Sequence, residues 1–461
     1  MEVFNTYIFG VTETRNSGAL KNKHNLKKIY TFLAAVFTSL CVHAQSLYFP
    51  PTTGSAWDKI SPQSLNWCQH NIDSLYAFLD ANNTKAFVLL KDGKIVFEKY
   101  FGTHTQTTPW QWASAGKTIT SFMVGIAQQE NYLSITDTTS RYLGQGWTIC
   151  IPAQEEKITI RHQLTMTSGL DDGVADPFCT LDTCLLYKAD AGTRWAYHNG
   201  PYTILDDVIA NATGTSLNVY TTQKLKNPTG MTGAFIPIGS NNVFFSNARS
   251  MARFGLLILN KGNWNGSQIM TDTAYFNQMV NTSQNLNQAY GYLWWLNGKS
   301  TYMMPGTQFV FNGFLNPNAP VDMFVAIGKD GQFLNVVPSQ NLVWIRMGNS
   351  PDGLPAPFLL NDKIWKYIND LECNTTGSNE PIYNNNLVRI FPNPGNDMIN
   401  IQSDKLISGV EIFNFHGQLI KTESAQNKEL SISVSEIPGG LYFVKVALAN
   451  GKTWTEKLIK E

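Results

Sequence analysis

Nine residues, Cys373-Asn-Thr-Thr-Gly-Ser-Asn-Glu-Pro381, divide this chain in two. They are small, polar and rich in breakers of helix and strand, which reads as a linker. Upstream lies one long segment with mixed helix and strand signals. Downstream, about 75 residues carry strand signals only. The length of 461 residues is compatible with two to three domains, or with one large domain and a small one.

The upstream segment has strands at both ends. Ala86-Phe-Val-Leu-Leu90 and Lys94-Ile-Val-Phe-Glu-Lys-Tyr100 flank Lys91-Asp92-Gly93, a hairpin signature with Asp-Gly at the turn. From Ser114 the pattern turns helical, with Ile119, Phe122, Met123, Ile126 and Ala127 forming one apolar stripe. Later, Asp322–Ile327, Gln332–Val337 and Asn341–Arg346 follow one another with short turns, as in an antiparallel meander. A helical pattern over Phe358–Leu371 closes the segment. These signals predict an α+β domain whose sheet joins both of its ends. The downstream runs Leu387–Phe391, Met398–Ile401, Gly409–Phe413, Gln418–Lys421, Leu430–Val434 and Leu441–Val446 predict a small all-β sandwich. The boundaries that follow are 1–44 (upstream segment and signal peptide), 45–372 (α+β domain), 373–383 (linker) and 384–461 (β-sandwich). The breakers at 373–383 predict few contacts between the two domains.

The N-terminus reads as an export signal. Lys21, Lys23, Lys27 and Lys28 precede the apolar run Ile29–Val42, and Val42-His43-Ala44 offers a cleavage site after Ala44. The run is short of the roughly 20 residues of a comfortable membrane span. Leu40 is too large for a lipobox before Cys41. Five cysteines remain after cleavage, an odd number: Cys68, Cys150, Cys179, Cys184 and Cys373. Cys179 and Cys184 either close a small disulfide loop or stay as two thiols. With 34 basic and 34 acidic residues the chain has no excess charge for a nucleic-acid partner. The seven histidines are scattered, with no HExxH, so no metal or other cofactor is expected.

Chemistry concentrates at Trp112-Ala-Ser114-Ala-Gly-Lys117-Thr. Ser and Lys at i and i+3 on a starting helix share a face. A serine hydroxyl needs a neighbouring base, and a buried lysine with a lowered pKa can be that base. A surface helix would show the same spacing. Tyr197-His198-Asn199 adds a phenol able to relay protons, unless Tyr197 is a core aromatic. Gly328-Lys329-Asp330-Gly331-Gln332, between two strands, either aims a backbone N–H at a substrate carbonyl or is a plain turn.

Taken in this order, Ser114-x-x-Lys117, Tyr197-x-Asn199 and Gly-Lys-Asp-Gly-Gln resemble the serine β-lactamase/penicillin-binding-protein superfamily. The similarity is to its class C-like branch of esterases, D-aminopeptidases and 6-aminohexanoate-dimer hydrolase. Thr159-Ile-Arg-His-Gln-Leu-Thr-Met-Thr-Ser-Gly-Leu170 and Val336-Val-Pro-Ser-Gln-Asn-Leu-Val343 fit that branch, and the likeness runs from about Ser55 to Leu371. It implies a β-lactamase/transpeptidase-like domain: a five-stranded antiparallel sheet flanked by helices, an all-helical lobe, and the site between them. It also implies a serine hydrolase cleaving a small amide or ester through an acyl-enzyme. Ser114 is then the nucleophile and Lys117 its proton acceptor. Tyr197 is the acid or base serving the leaving group, and Asn199 a polar contact. Lys329, Asp330 and Gly331 form the substrate and oxyanion edge, Lys329 through its backbone N–H. Asp330 departs from a Lys-Thr-Gly motif and places negative charge where a β-lactam carboxylate would approach, which predicts weak β-lactam hydrolysis. His198 is bulkier than the small residue common at its position, and no Ser-Asp-Asn follows the nucleophile.

Other readings fare less well. His162 with Asp171 or Asp172 suggests a triad, but there is no Gly-x-Ser-x-Gly elbow. Trp110, Trp112, Trp294 and Trp295 either line a pocket or pack the core. A non-catalytic surface-peptide or cell-wall binder that keeps the fold is the competing class, and it has no need of an intact Ser/Lys/Tyr set.

The tail has its own resemblance. Phe391-Pro-Asn-Pro394, Gly417-Gln418, Ile437-Pro-Gly-Gly-Leu-Tyr-Phe443 and the terminal Lys-Leu-Ile-Lys-Glu461 are similar to type IX secretion C-terminal sorting domains. That implies handling by the type IX machinery and delivery through the periplasm to the cell surface or medium, with no transmembrane span in the mature chain. The tail itself shows no cluster of catalytic residue types and is expected to be dispensable for turnover.

Overall fold

A computed structural model of the chain describes residues 47–351, 358–373, 388–415 and 417–461. The expected signal peptide, its cleavage site and all of the linker after Cys373 lie outside the described residues.

The α+β domain is built on an antiparallel sheet. Its strands are β1 (Thr84–Lys91), β2 (Lys94–Tyr100), β3 (Trp295–Leu296), β6 (Phe324–Gly328), β7 (Gln332–Val337) and β8 (Leu342–Gly348); a separate hairpin, β4 (Thr301–Met303) and β5 (Val310–Asn312), falls between β3 and β6. The sheet order is β2-β1-β8-β7-β6-β3, so the first hairpin and the late meander meet at β1–β8 as expected. The short edge strand β3 makes six strands where the resemblance implied five. The β1–β2 turn places Asp92 at φ 51° and Gly93 at φ 81°, the left-handed pair that an Asp-Gly hairpin supplies.

Residues 86–90 of β1 are all buried, because helices cover both faces of the sheet. On one face α1 (Gln69–Ala81) and α5 (Phe358–Asn369) pack together, with Phe78 stacked on Tyr367. Trp344 of β8 meets Trp365 of α5 on this side. Its neighbour Val343 points the other way and packs on Gly255 of α4 (Ala248–Leu259). Cys68, at the head of α1, forms a disulfide with Cys373, just past α5. Cys179 and Cys184 form a second disulfide, and Cys150 is the free thiol among the described residues.

The helix predicted from its apolar stripe is α2 (Lys117–Gln129), which packs on α3 (Leu205–Thr213) of the helical lobe. It is buried all round rather than on one face: every residue from Lys117 to Ala127 is inside. Two of its small polar residues find partners inside, and the Ser121 hydroxyl is buried without one. Thr118 donates to the Ala115 carbonyl, and the Thr120 hydroxyl pairs with that of Tyr202.

The tail is all β, with β9 (Val388–Phe391), β10 (Met398–Asn414), β11 (Leu419–Ser433), β12 (Gly440–Leu448) and β13 (Thr453–Lys460). Four expected short strands are two long ones, β10 and β11. The ladder between them runs on through register irregularities near residues 402–409 and 412–413. The first half of β10 pairs with β9 and its second half with β12, while β11 holds the other edge. One five-stranded sheet therefore wraps its own core of Ile399, Ile401, Val410, Ile432, Val444 and Val446, in place of a two-sheet sandwich.

The tail also docks on the α+β domain, contrary to the expectation of few contacts. Phe443 of β12 points away from the tail's own core and is 1% exposed. Its ring lies 4.8 Å from that of Phe311 in β5. Phe413 meets Phe309 at the same separation, and Lys457 Nζ lies 5.6 Å from the Tyr302 ring centre.

Candidate active site

Ser114 sits in a 3-10 turn, Ala113–Gly116, that runs directly into α2. The turn is anchored by Trp112, fully buried, whose N–H donates to the Phe244 carbonyl and whose indole donates to Ser246 Oγ at 2.7 Å. Ala113 adopts φ 46°, a conformation an alanine takes only when its surroundings impose it. Lys117 Nζ lies 3.0 Å from Ser114 Oγ. The amine also sits 4.4 Å from the Tyr202 ring centre and 5.2 Å from that of Tyr197.

Burial dominates the electrostatics. It drives the Lys117 amine down to about 7, with Asp206 pulling weakly in the other direction. Asp206 is pushed up for the same reason, although Asn242 donates to its carboxylate at 2.8 Å. The Tyr197 phenol is lifted well above its usual range by burial, with the Ser114 hydroxyl offsetting part of the effect. It is a neutral phenol at physiological pH, and a phenolate favoured by Lys117 is not its resting form. Its ring stacks on Trp295, with centres 5.8 Å apart. Asn199 opens the short helix Asn199–Thr203, with its side-chain oxygen buried and unpartnered. His198 is buried with both ring nitrogens unpartnered, and desolvation lowers it to about 4, so it carries no charge at neutral pH.

Ser114, Tyr197, Asn199, Gly328 and Lys329 share the wall of one cavity of about 260 Å³. Asp172, Pro177, Phe178, Trp295, Pro305 and Gly306 also line it. The expected members Asp330 and Gly331 do not. Their carbonyls turn to the buried Arg346 guanidinium, at 3.1 and 2.7 Å, and Asp330 takes φ 63° to make that turn. The residue that meets the nucleophile turn is Gly328. A Cβ there would fall 2.3 Å from the Trp112 carbonyl oxygen and 3.1 Å from the Ala115 nitrogen. The Asp330 charge argument against β-lactams therefore lapses, because Asp330 is absent from the cavity wall. The carboxylate that does line it, Asp172, is paired with Arg194 at 2.6 Å.

The triad alternative fails on geometry. His162 is spent in a capping box with Thr159, and Asp171 pairs with Lys188. Of the four tryptophans, only Trp295 lines the cavity. Trp112 and Trp294 are core, and Trp110 packs on His104. Sequence reasoning named Gly328 within its motif without giving it a role, and missed Tyr202 and Asp206. The last two lie five and nine residues beyond Tyr197, on the helical segments that carry it inward. A second cavity of about 300 Å³, between Ile258–Lys261 and Val321–Phe324, is lined by no serine, tyrosine, cysteine or histidine. Among the described residues no cluster of three or more metal-binding side chains occurs, and no helix is long and apolar enough to cross a membrane.

A serine turn feeding a buried helix, set against the end of a sheet strand and a helical lobe, defines a β-lactamase/transpeptidase-like fold with its cavity at the junction. Residues 81–367, more than half of the chain, match the Beta-lactamase family, and the chain belongs to it. Residues 389–461 match the secretion system C-terminal sorting domain. An uncharacterized protein of Alkalihalophilus pseudofirmus is 24% identical over 324 residues, 61% of this chain and 89% of that one. A Bacillus anthracis protein described as a 6-aminohexanoate-dimer hydrolase superposes with a TM-score of 0.53 at 20% identity, covering 70% of this chain and 91% of its own. A family VIII carboxylesterase gives 0.50 at 14% identity, covering 66% and 98%.

Proposed function

We propose that the protein is an exported serine hydrolase that cleaves an amide or ester through an acyl-enzyme on Ser114. The observation that carries this reading is the 3.0 Å approach of Ser114 Oγ to a buried Lys117, whose amine burial lowers to about 7, so that a large share of it is the free base at neutral pH. A neutral amine in that position accepts the hydroxyl proton as Oγ attacks the substrate carbonyl. The oxyanion is received by the backbone N–H groups of Ser114 and Lys329, each one residue from the close approach of Gly328 to the Ala115 nitrogen. Tyr197, a phenol, gives its proton to the leaving group and regains one from the Lys117 ammonium. Water then enters along the same relay in reverse and frees the acid product. Asn199 holds the substrate by a hydrogen bond from its side chain.

The neighbours described as a 6-aminohexanoate-dimer hydrolase and a family VIII carboxylesterase support the substrate class. The test is mass spectrometry of the intact chain after a fluorophosphonate. One label on Ser114 is expected. A label on another serine, or none on folded protein, removes Ser114 from the mechanism and leaves the non-catalytic binder. The tail is proposed to route the enzyme through the type IX machinery to the cell surface or medium. A chain cut after Pro381 that still reaches that destination would refute this role.

A further inference from the structure

The hairpin β4–β5 stands between the cavity and the tail. Its tip supplies Pro305 and Gly306 to the cavity wall. Gln308, at the same tip, donates from Nε2 to the Trp195 carbonyl at 3.0 Å, two residues from Tyr197. The opposite side of the hairpin is aromatic: Tyr302 and Phe311 are cross-strand partners stacked 5.2 Å apart, 3% and 0% exposed. Their cover comes from the tail, through Phe443 on Phe311 and Lys457 on Tyr302, with Phe413 on Phe309 beside them. A two-stranded hairpin of three residues per strand has little stability of its own. Among the described residues it pairs with no other strand, and Asn287 ties its first strand to the α+β domain by accepting from the Met303 N–H at 3.1 Å. Phe443 alternates with Tyr442 and Val444, whose side chains serve the tail's own core, so an apolar side chain at 443 contributes nothing to that core.

We infer that Phe443 and Phe413 of the sorting tail are positioning residues for substrate: they hold β4–β5 where Pro305 and Gly306 close the cavity. The inference rests on the reading of the Ser114 cavity as the active site. It leaves the tail dispensable for the chemical step, as expected from the sequence, and gives it a part in substrate binding. Detaching the tail, or breaking its aromatic contact, frees the hairpin to leave the cavity wall. Ser114, Lys117 and Tyr197 are anchored elsewhere, through Trp112, α2 and Trp295, so the chemical step stays intact. The loss falls on binding.

The test uses the full chain with Phe443→Ser, with Phe413→Ser as the second variant should the first fail to fold, and Phe443→Leu as the conservative control. Two readouts are taken: hydrogen exchange of the amides of residues 301–312, and kcat and KM on a bulky aryl ester. Exchange over the hairpin is expected to rise. KM is expected to rise by the inverse of the closed fraction, about three- to tenfold if the hairpin stays closed a tenth to a third of the time, with kcat unchanged. Phe443→Leu should restore both. Unchanged exchange overturns the brace. Faster exchange with unchanged KM shows that the contact does not govern the cavity and overturns the inference equally. Should fluorophosphonate leave Ser114 of the native chain unlabelled, the site reading fails, and hydrogen exchange still decides whether the tail holds the hairpin.

Discussion

Replacing Gly328 by alanine should cost this enzyme most of its turnover while leaving it folded. Gly328 has an extended backbone, φ −118° and ψ 158°, which any residue can adopt. Space alone demands glycine there. The new Cβ would lie 2.3 Å from the Trp112 carbonyl oxygen, 3.0 Å from the Gln332 Cβ and 3.1 Å from the Ala115 nitrogen. An ordinary C···O contact is about 3.3 Å, so the strand end and the serine turn must part by roughly 1 Å. The turn cannot yield easily, since Trp112 is locked by Phe244 and Ser246. The Lys329 N–H therefore recedes from Ser114. A 1 Å misplacement costs about 10²-fold, and loss of one oxyanion donor about 10²–10³-fold, or about 2.7–4 kcal/mol. Overpacking should cost about 1–3 kcal/mol of stability. The assay is kcat and KM on p-nitrophenyl butyrate, with a thermal melt as the control for folding. A folded Gly328→Ala variant with native kcat would refute the placement of the oxyanion edge at Gly328–Lys329.

Other consequences follow from the same geometry. Lys117→Ala and Tyr197→Phe should each lower turnover by about two to four orders of magnitude, the range for general acid–base groups. Tyr197→Phe keeps the stack on Trp295 and so should fold normally; native turnover in either variant would void its role. Because burial depresses the Lys117 amine to about 7, the catalytic free base is lost as pH falls through that value. For a neutral ester, kcat/KM should rise with pH and level off above about 7, and a profile flat from about pH 6 to 8 would refute the lysine as base. Removing the Cys68–Cys373 bridge with Cys68→Ser and Cys373→Ser should lower unfolding free energy by about 2–4 kcal/mol in denaturant melts, with kcat unchanged. Equal stability of the double variant would show that the helix pair α1–α5 holds without it.

What could be read from the sequence was what depends on near neighbours. The Asp92-Gly93 turn fixes its hairpin within four residues, and Ser114 and Lys117 are one helical turn apart. The β strands at 324–328, 332–337 and 342–348 followed from short turns between apolar runs. The third site element was drawn too far along the chain, to Asp330 and Gly331, because sequence shows a Lys-x-Gly pattern and not a clearance. Only with β6 laid against the Trp112–Ala115 turn does Gly328 stand out as the position with no room for a side chain. The all-round burial of α2 was hidden by Thr118, Thr120 and Ser121, which look like an outward face; Thr118 and Thr120 find partners inside, and the Ser121 hydroxyl is buried without one. In the tail, the runs 398–401 and 409–413 read as two strands, yet they belong to one: the ladder to β11 lapses after Gln402 and resumes at Ile407 in a shifted register. The docking of the tail left one trace: Leu441-Tyr-Phe-Val is an unbroken apolar run, as expected of a strand covered on both faces rather than one.

The Cys68–Cys373 bridge has a mechanical consequence. Its two sulfurs sit at the head of the first long helix and just past the last, so residues 69–372 form a single covalent loop. A chain held at the cell surface by its C-terminal domain receives drag and tension at the Cys373 end. That load divides between the sulfur–sulfur link into Cys68 and the docked ring pairs Phe443–Phe311 and Phe413–Phe309. Unravelling that begins beyond Cys373 is stopped at the bridge, before it can draw out the helices and strands between residues 69 and 372 in series.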